Sequence, residues 1–390
     1  MTTSHPRYYW RIAGFYFFHF AFVGMFSPYW SLYLKSIEFD AVQIGILMSV
    51  QPVMRMLSPA WWGWLADHLG NRRLVVRVAA FCSAVCYLGV FFTTGFYGLL
   101  LVLALMSFFW SASMPLVEAT TLTYLGKNAV RYGRLRSWGS LGFIIAVLGL
   151  GYAFDYISIK WIIWAGLAIQ AGTLYFSRQI PATEVIAHHT DSHPIMRIVM
   201  QPQVLTLFGG CFLMAVAHGP YYTFFSIYLV EHGYAKSTVG VLWTLGVVCE
   251  IGVFFAMPWL MRRYFLPRIL MISLALAVIR FLIIGWQVDT LWLLLFAQML
   301  HAATFGSFHA AAVALVHHFF RGRHQSRGQA LFGSVTYGAG GMLGGLSSGP
   351  LWQLWGPSVM YTFSAAAALL GLGLMWWKLG SVEIVRDTQL

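Results

Sequence analysis

Arg55, Glu118, Arg136, Glu250 and Arg280 each lie within a long run of apolar residues, and so do His19, His218, His301 and His309. A carboxylate beside a guanidinium stays ionised, but if the guanidinium withdraws in a low-dielectric setting the carboxyl takes up a proton. An arginine left over from such pairing can make two parallel hydrogen bonds to a carboxylate on a small molecule. The chemistry these residue types offer is therefore reversible proton binding and anion recognition. Bond-making chemistry lacks a matching signal, because no HExxH, nucleophile elbow or paired-carboxylate motif accompanies the histidines and glutamates. A membrane-embedded enzyme is kept as the reading from a different class, and no cofactor or metal is expected.

The runs that must position these groups follow from composition. The chain has 390 residues, of which 59% are hydrophobic and 9% charged, against about 25% charged in a soluble protein. That is too little charge to cover a water-facing surface, whereas a lipid-facing surface needs none. Apolar runs at about 9–35, 41–66, 74–93, 97–124, 133–154, 159–178, 203–230, 238–260, 268–287, 291–319, 329–354 and 358–378 are long enough to cross a bilayer. The expected fold is an all-α membrane protein with twelve transmembrane helices. The first run is much longer than a signal-peptide core and is read as a retained span. Cys82, Cys86, Cys211 and Cys249 lack metal-ligand spacing and are read as free thiols.

The net charge of +12 does not point to nucleic acid. Counting loops alternately places Arg7, Arg11, Arg72, Arg73, Arg77, Lys127, Arg131, Arg134, Arg178, Arg197, Arg262, Arg263, Arg268, Arg321, Arg323, Arg327, Lys378 and Arg386 on one side, and Lys35, Lys160 and Lys236 on the other. This asymmetry predicts both termini in the cytoplasm. The polar stretch after residue 178 separates six spans from six, so the domains are expected as a bundle over 1–178, a cytoplasmic linker over 179–202, a second bundle over 203–380 and a cytoplasmic tail over 381–390. His188, His189, Asp191 and His193 in the linker are read as solvated loop residues.

A shift of 195 residues lays Ser31-Leu32-Tyr33-Leu34 on Ser226-Ile227-Tyr228-Leu229, Gly45-Ile46-Leu47 on Gly240-Val241-Leu242, and Arg55 on Glu250. The two bundles are thus expected to be pseudo-symmetric. In transporters built this way the solute site lies near the bilayer midplane at the junction of the halves.

A charge at the centre of a span costs about 2.5–3.5 kcal/mol, so the five should be paired, wet or functional. Residues equally distant from a turn along antiparallel helices share a height. Glu118 and Arg136 are each nine residues from Lys127; Glu250 and Arg280 are each fifteen from Phe265; Arg280 and His301 are each about ten from the Asp289-Thr290 turn. Glu250, Arg280 and His301 are expected in one layer, with Glu250 exchanging a proton as Arg280 and His301 approach and withdraw. His218 with Tyr221 and Tyr222 makes one helix face, and His301 and His309 are expected about 80° apart on span ten. His19 is read as a histidine bonded to a neighbouring helix. The charged groups number three positive and two negative, leaving one arginine for an anion. Arg136 could hold a carboxylate while Trp30, Tyr221 and Tyr222 pack an aromatic ring, although with 17% aromatic residues those three rings could equally be core.

The turn after span two reads Gly63-Trp-Leu-Ala-Asp67-His-Leu-Gly70-Asn-Arg72-Arg73 and resembles the G-x-x-x-D-x-x-G-x-R-R signature of the major facilitator superfamily. The resemblance implies the major facilitator fold and a cytoplasmic gate formed by Gly63, Asp67, Gly70, Arg72 and Arg73. In the second half Arg262 stands where the shift places Asp67, so a second gate of this kind is not expected. Glu118 followed by Arg136 in Tyr132-Gly133-Arg134-Leu135-Arg136 resembles the Glu/Arg solute-binding pair of the lactose permease and phenylpropionate permease branch. Glu250, Arg280 and His301 fall where that branch carries its coupling residues. Thr304 departs from it, standing where lactose permease has a carboxylate, which throws proton carriage onto Glu250, His301 or His309. Pro28-Tyr-Trp-Ser-Leu-Tyr-Leu-Lys35, Ala217-His218-Gly-Pro-Tyr-Tyr222, Leu300-His301-Ala-Ala-Thr304-Phe, Arg55 and His309 are more similar to the phenylpropionate side of the branch.

What the resemblance implies is proton-coupled symport of a small aromatic carboxylate by alternating access. The substrate set would be Glu118, Arg136, Arg55, His218, Tyr221, Tyr222 and Trp30, and the coupling set Glu250, Arg280, His301 and His309. It also implies a bacterial-type inner membrane, with a monomer partnered only by its solute, protons and lipid. A proton symporter of a sugar or nucleoside, and an exporter of drugs or metabolites, remain open beside it.

Overall fold

The computed structural model describes residues 6–126, 132–182 and 195–379. Lys127 and Arg131, with His188, His189, Asp191 and His193, lie outside the described residues. Clustering divides the chain into two units: Met1–Thr190 with Tyr234–Val241, and Asp191–Gly233 with Leu242–Leu390.

In unit 1 the helices are α1 (Pro6–Ser36), α2 (Ala41–Leu69), α3 (Arg72–Leu88), α4 (Phe96–Leu125), α5 (Tyr132–Tyr156) and α6 (Ile162–Ser177). Asp40 starts α2 with a capping box: its carboxylate accepts from the Gln43 N–H at 2.8 Å and its own N–H donates to the Gln43 side chain at 3.3 Å. The α2–α3 turn is as tight as the signature requires. Gly70 takes φ 60°, a left-handed conformation that favours glycine, and Asn71 Oδ1 caps α3 by accepting from the Leu74 N–H at 3.0 Å. α1 packs against α5 and α6, and α4 against α2 and α3. Unit 1 also takes in the first turns of the next-but-one helix, where the Asp155 carboxylate accepts from the Lys236 and Ser237 N–H groups at 2.7 and 3.2 Å.

Unit 2 contains α7 (Pro202–Glu231), most of α8 (Lys236–Arg263), α9 (Leu266–Trp286), α10 (Leu291–Phe319) and a 55-residue helical stretch, Gln325–Leu379. At 1.5 Å per residue that stretch would run to about 80 Å, far more than a hydrocarbon core about 30 Å thick. It breaks at Gly356, whose φ of 80° and ψ of 173° are non-helical. It therefore carries two spans, α11 over 325–355 and α12 over 357–379, which brings the spans to the expected twelve among the described residues.

A similar close crossing occurs in each unit. A Cβ on Gly24 of α1 would lie 2.7 Å from the Phe143 carbonyl oxygen of α5, and one on Gly344 of α11 would lie 2.5 Å from the Val216 carbonyl oxygen of α7, beside Gly219. Gly24 and Gly219 are separated by the 195-residue offset of the repeat. Without a hydrophobic drive between helices in lipid, such small-residue contacts supply much of the packing energy. All four cysteines are free.

Span ten is not a regular α-helix. Its Leu291–His301 and Phe308–Phe319 segments are joined by a π-helical stretch, Ala302–Ser307, and a second π stretch, Ser334–Gly340, interrupts α11. Extra residues per turn change the phase of everything that follows, and π segments concentrate at functional sites.

Candidate functional site

In unit 1 the nine-residue symmetry about the α4–α5 turn holds. Glu118 Oε1 stands 4.0 Å from Arg136 Nε, and the Tyr132 hydroxyl donates to the same Oε1 at 3.0 Å. The guanidinium lies over the Phe20 ring, 3.8 Å from its centroid, and 5.9 Å from that of Tyr16, which in turn donates to Thr121 Oγ1 at 3.3 Å. With side chains 38% and 34% exposed, Glu118 and Arg136 form an accessible polar ledge rather than a sealed ion pair. Such a ledge can offer both donors and acceptors to a solute. Beside it, buried His19 is stacked on Trp110 at 4.3 Å and 7°, and Arg55 reaches the Trp110 ring at 5.8 Å. His19 Nδ1 is buried with no hydrogen-bond partner. Trp30 is fully buried, stacked with Phe26 at 5.4 Å and packed on Tyr33 and Tyr87. In this arrangement it lies in the core of unit 1.

Of the residues that the signature assigns to a gate, Asp67 and Arg72 face each other across the α2–α3 turn. Asp67 Oδ1 lies 3.9 Å from Arg72 Nη2, and the Asp67 side chain is 68% exposed. An ion pair this wet is worth about 0–1 kcal/mol, so it can break at little cost. Gly63 is unobstructed, and Arg73 keeps a buried Nε with no hydrogen-bond partner.

Unit 2 gathers the second set. Arg280 is 0% exposed. Its Nε donates to the Ala297 carbonyl at 3.2 Å, and its Nη1 contacts His218 Nε2 at 3.2 Å and Thr304 Oγ1 at 3.4 Å. The guanidinium carbon sits 4.3 Å from the Tyr221 ring centroid, and the Tyr221 hydroxyl donates to Gln298 Oε1 at 3.0 Å. His218 Nδ1 lies 2.9 Å from the Met214 carbonyl. That oxygen can only accept, so Nδ1 carries the proton, and Nε2 presents its lone pair to Arg280. The partners thus assign His218 as the neutral Nδ1–H tautomer.

Glu250 meets His301, not Arg280: Oε2 and Nε2 are 3.9 Å apart, with the two side chains 17% and 8% exposed. Gly246 and Gly306 make this approach of α8 and α10 close. A Cβ on Gly306 would lie 3.0 Å from Glu250 Cγ, and one on Gly246 3.2 Å from His301 Cδ2. The His301 ring is 5.9 Å from that of Tyr221 and 6.2 Å from that of His218. His301 and Arg280 are linked through Tyr221 and His218, whose side chains approach both. Among the described residues Arg280 makes no ion pair, and its Nη2 is buried without a hydrogen-bond partner. Tyr222 lies at the edge of the group, 6.1 Å from His218.

The expected separation of about 80° between His301 and His309 assumes a regular α-helix, and a π stretch lies between them. The π stretch between them turns the helix by less per residue, and the rings of His301, Phe305 and His309 stack in one row, at 5.4 Å and 15°, then 6.2 Å and 12°. The row ends where His309 Nδ1 meets the Tyr337 hydroxyl at 2.6 Å, on the second π stretch. Trp110, Gln298 and Tyr337 carry no sequence signal of their own; for Tyr337 there is only the run of small residues around it, Ser334-Val-Thr-Tyr-Gly338-Ala-Gly340.

The chain is 29% identical to the "Probable 3-phenylpropionic acid transporter" of Escherichia coli (strain K12), over 92% of this chain and 94% of that one. It is 26% identical to the maltose permease of Geobacillus stearothermophilus, over 92% and 91%. The crystal structure of the nucleoside transporter NupG superposes with a TM-score of 0.78 at 17% identity, covering 95% of this chain and 98% of that one. The fold is thereby that of major facilitator transporters, with small molecules rather than a chemical reaction as their business. Residues 9–363 match the model of the MFS_1 like family, and the chain belongs to that family.

Proposed function

We propose that this transporter carries a small aromatic carboxylate together with a proton, by alternating access, with both termini in the cytoplasm of a bacterial-type cell. The observation that carries the reading is Arg280: a fully buried guanidinium with one nitrogen unsatisfied and no carboxylate in ion-pair contact among the described residues. A buried charge in this condition is costly, and an anionic solute would compensate it. Arg136 is already matched by Glu118, which gives unit 1 a neutral pair able to orient a solute through hydrogen bonds. Glu250 and His301 hold the transported proton between them, since one proton makes the pair either two neutral groups or an ion pair. The 3-phenylpropionic acid relative supports an aromatic acid as the solute. Tyr221, over which Arg280 lies, and Tyr222 beside it would flank the ring.

The maltose permease and nucleoside transporter favour a second reading, a proton symporter for a sugar or nucleoside, in which the Glu118–Arg136 ledge binds hydroxyls. Equilibrium binding of 3-phenylpropionate, maltose and uridine to the purified protein separates the two. Saturable binding of 3-phenylpropionate that is lost in Arg280→Gln supports the aromatic-acid reading. Binding of maltose or uridine alone, unaffected by Arg280→Gln, overturns it.

A further inference from the structure

Away from the ionisable groups of the two sites, α3 and α6 of unit 1 border an open cleft of about 470 Å³ lined by Arg77, Val78, Phe81, Leu174 and Arg178. Arg77 Nη2 donates to the carbonyl oxygen of Arg178, which follows the last turn of α6. This ties the two helix ends together and brings two cationic side chains to one opening. Arg73, one turn before Arg77 on α3, adds a third positive charge to the same electrostatic neighbourhood. Among the described residues none of these three arginines forms an ion pair, and the Nε groups of Arg73 and Arg77 are buried without hydrogen-bond partners. Three positive charges, two of them with unsatisfied donors, and no carboxylate in ion-pair contact ask for an anion.

The apolar half of the cleft says what that anion is attached to. Leu74, Val78, Phe81, Val85 and Leu88 are 47%, 43%, 50%, 47% and 39% exposed. Their spacing of four, three, four and three residues makes one stripe along the whole outer face of α3. Phe81 and Val78 on that stripe also line the cleft, so the apolar surface runs unbroken from the arginines into the hydrocarbon. Arg77 lies five residues into a span that begins at Arg72, about 7.5 Å along the helix, which is headgroup and glycerol depth. Free phosphate would have no use for the stripe. A lipid has use for both parts.

We propose that the α3–α6 cleft binds the phosphate headgroup of an anionic phospholipid, with Arg77 and Arg178 on the phosphodiester and one acyl chain lying along the α3 stripe. The test is thermal unfolding of the full-length protein in detergent supplemented with phosphatidylglycerol, phosphatidylcholine or inorganic phosphate. Phosphatidylglycerol should raise the midpoint by about 3–5 °C more than phosphatidylcholine, and inorganic phosphate should not. Arg178→Gln should remove that excess while keeping the Arg178 carbonyl that Arg77 holds, so the test stands even where Arg77→Gln fails to fold. Arg262→Gln, an arginine outside the cleft, should retain it. An excess that persists in Arg178→Gln, or is lost equally in Arg262→Gln, would overturn the site. A shift as large with inorganic phosphate would overturn the lipid as its occupant.

Discussion

Arg280 carries its charge into the protein with three uncharged partners and one nitrogen left over. Arg280→Gln is therefore expected to weaken binding of 3-phenylpropionate by ~10- to 100-fold, read by titration calorimetry, and Arg280→Lys should not restore it. A lysine ammonium cannot reproduce the planar fork that reaches Ala297, His218 and Thr304 together. Glu118→Gln should act differently. It leaves the Tyr132 hydroxyl an acceptor but strips Arg136 of its counter-charge, so it should shift preference among solutes rather than abolish proton movement. At this scale the sequence revealed the residues better than their partners. Glu118 and Arg136 were readable as a pair because both sit nine residues from one turn, a distance that antiparallel helices convert directly into height. The partners of Arg280 were not, because height does not say which way a side chain points around the helix. Glu250 and Arg280 are level about Phe265, yet Glu250 turns to His301 and Arg280 to His218.

Elements explain the remaining discrepancy. Residues 301 and 309 are eight apart, which a regular α-helix would turn into about 80°; the π stretch from Ala302 to Ser307 turns the chain by less per residue, and both rings stack on Phe305 between them. No periodicity in the sequence announces a π turn, and only the small residues that tolerate it are visible. With His309 and Tyr337 both on or beside π segments and 2.6 Å apart, Tyr337→Phe is expected to alter the pH profile of uptake while leaving folding intact, as checked by transport at several pH values against the thermal midpoint. The glycine crossings were likewise invisible until the helices were placed, although their 195-residue offset repeats a signal that the sequence carries elsewhere. Gly344→Val should lower stability by about 1–3 kcal/mol, because its side chain must displace the Val216 backbone. Gly373→Ala, with open space around it, should not be destabilising in a thermal melt.

Over the whole molecule, composition and run length made the membrane and the helices legible, and basic-residue placement predicts an orientation. Twelve spans were countable in sequence because Gly356-Pro357 interrupts a helical stretch too long to be one span. The exposed Asp67–Arg72 pair fits a latch that opens and closes in each cycle. Asp67→Asn should reduce the rate of uptake without changing equilibrium binding of 3-phenylpropionate, as measured on the same preparation. The central claim is that solute and proton move together through Glu250 and His301, and a pH-sensitive dye outside proteoliposomes tests it most directly. Adding 3-phenylpropionate should make the weakly buffered external medium more alkaline with the natural protein, and should leave it unchanged with Glu250→Gln. Entry of labelled 3-phenylpropionate with no alkalinisation, or alkalinisation undiminished in Glu250→Gln, would contradict the account.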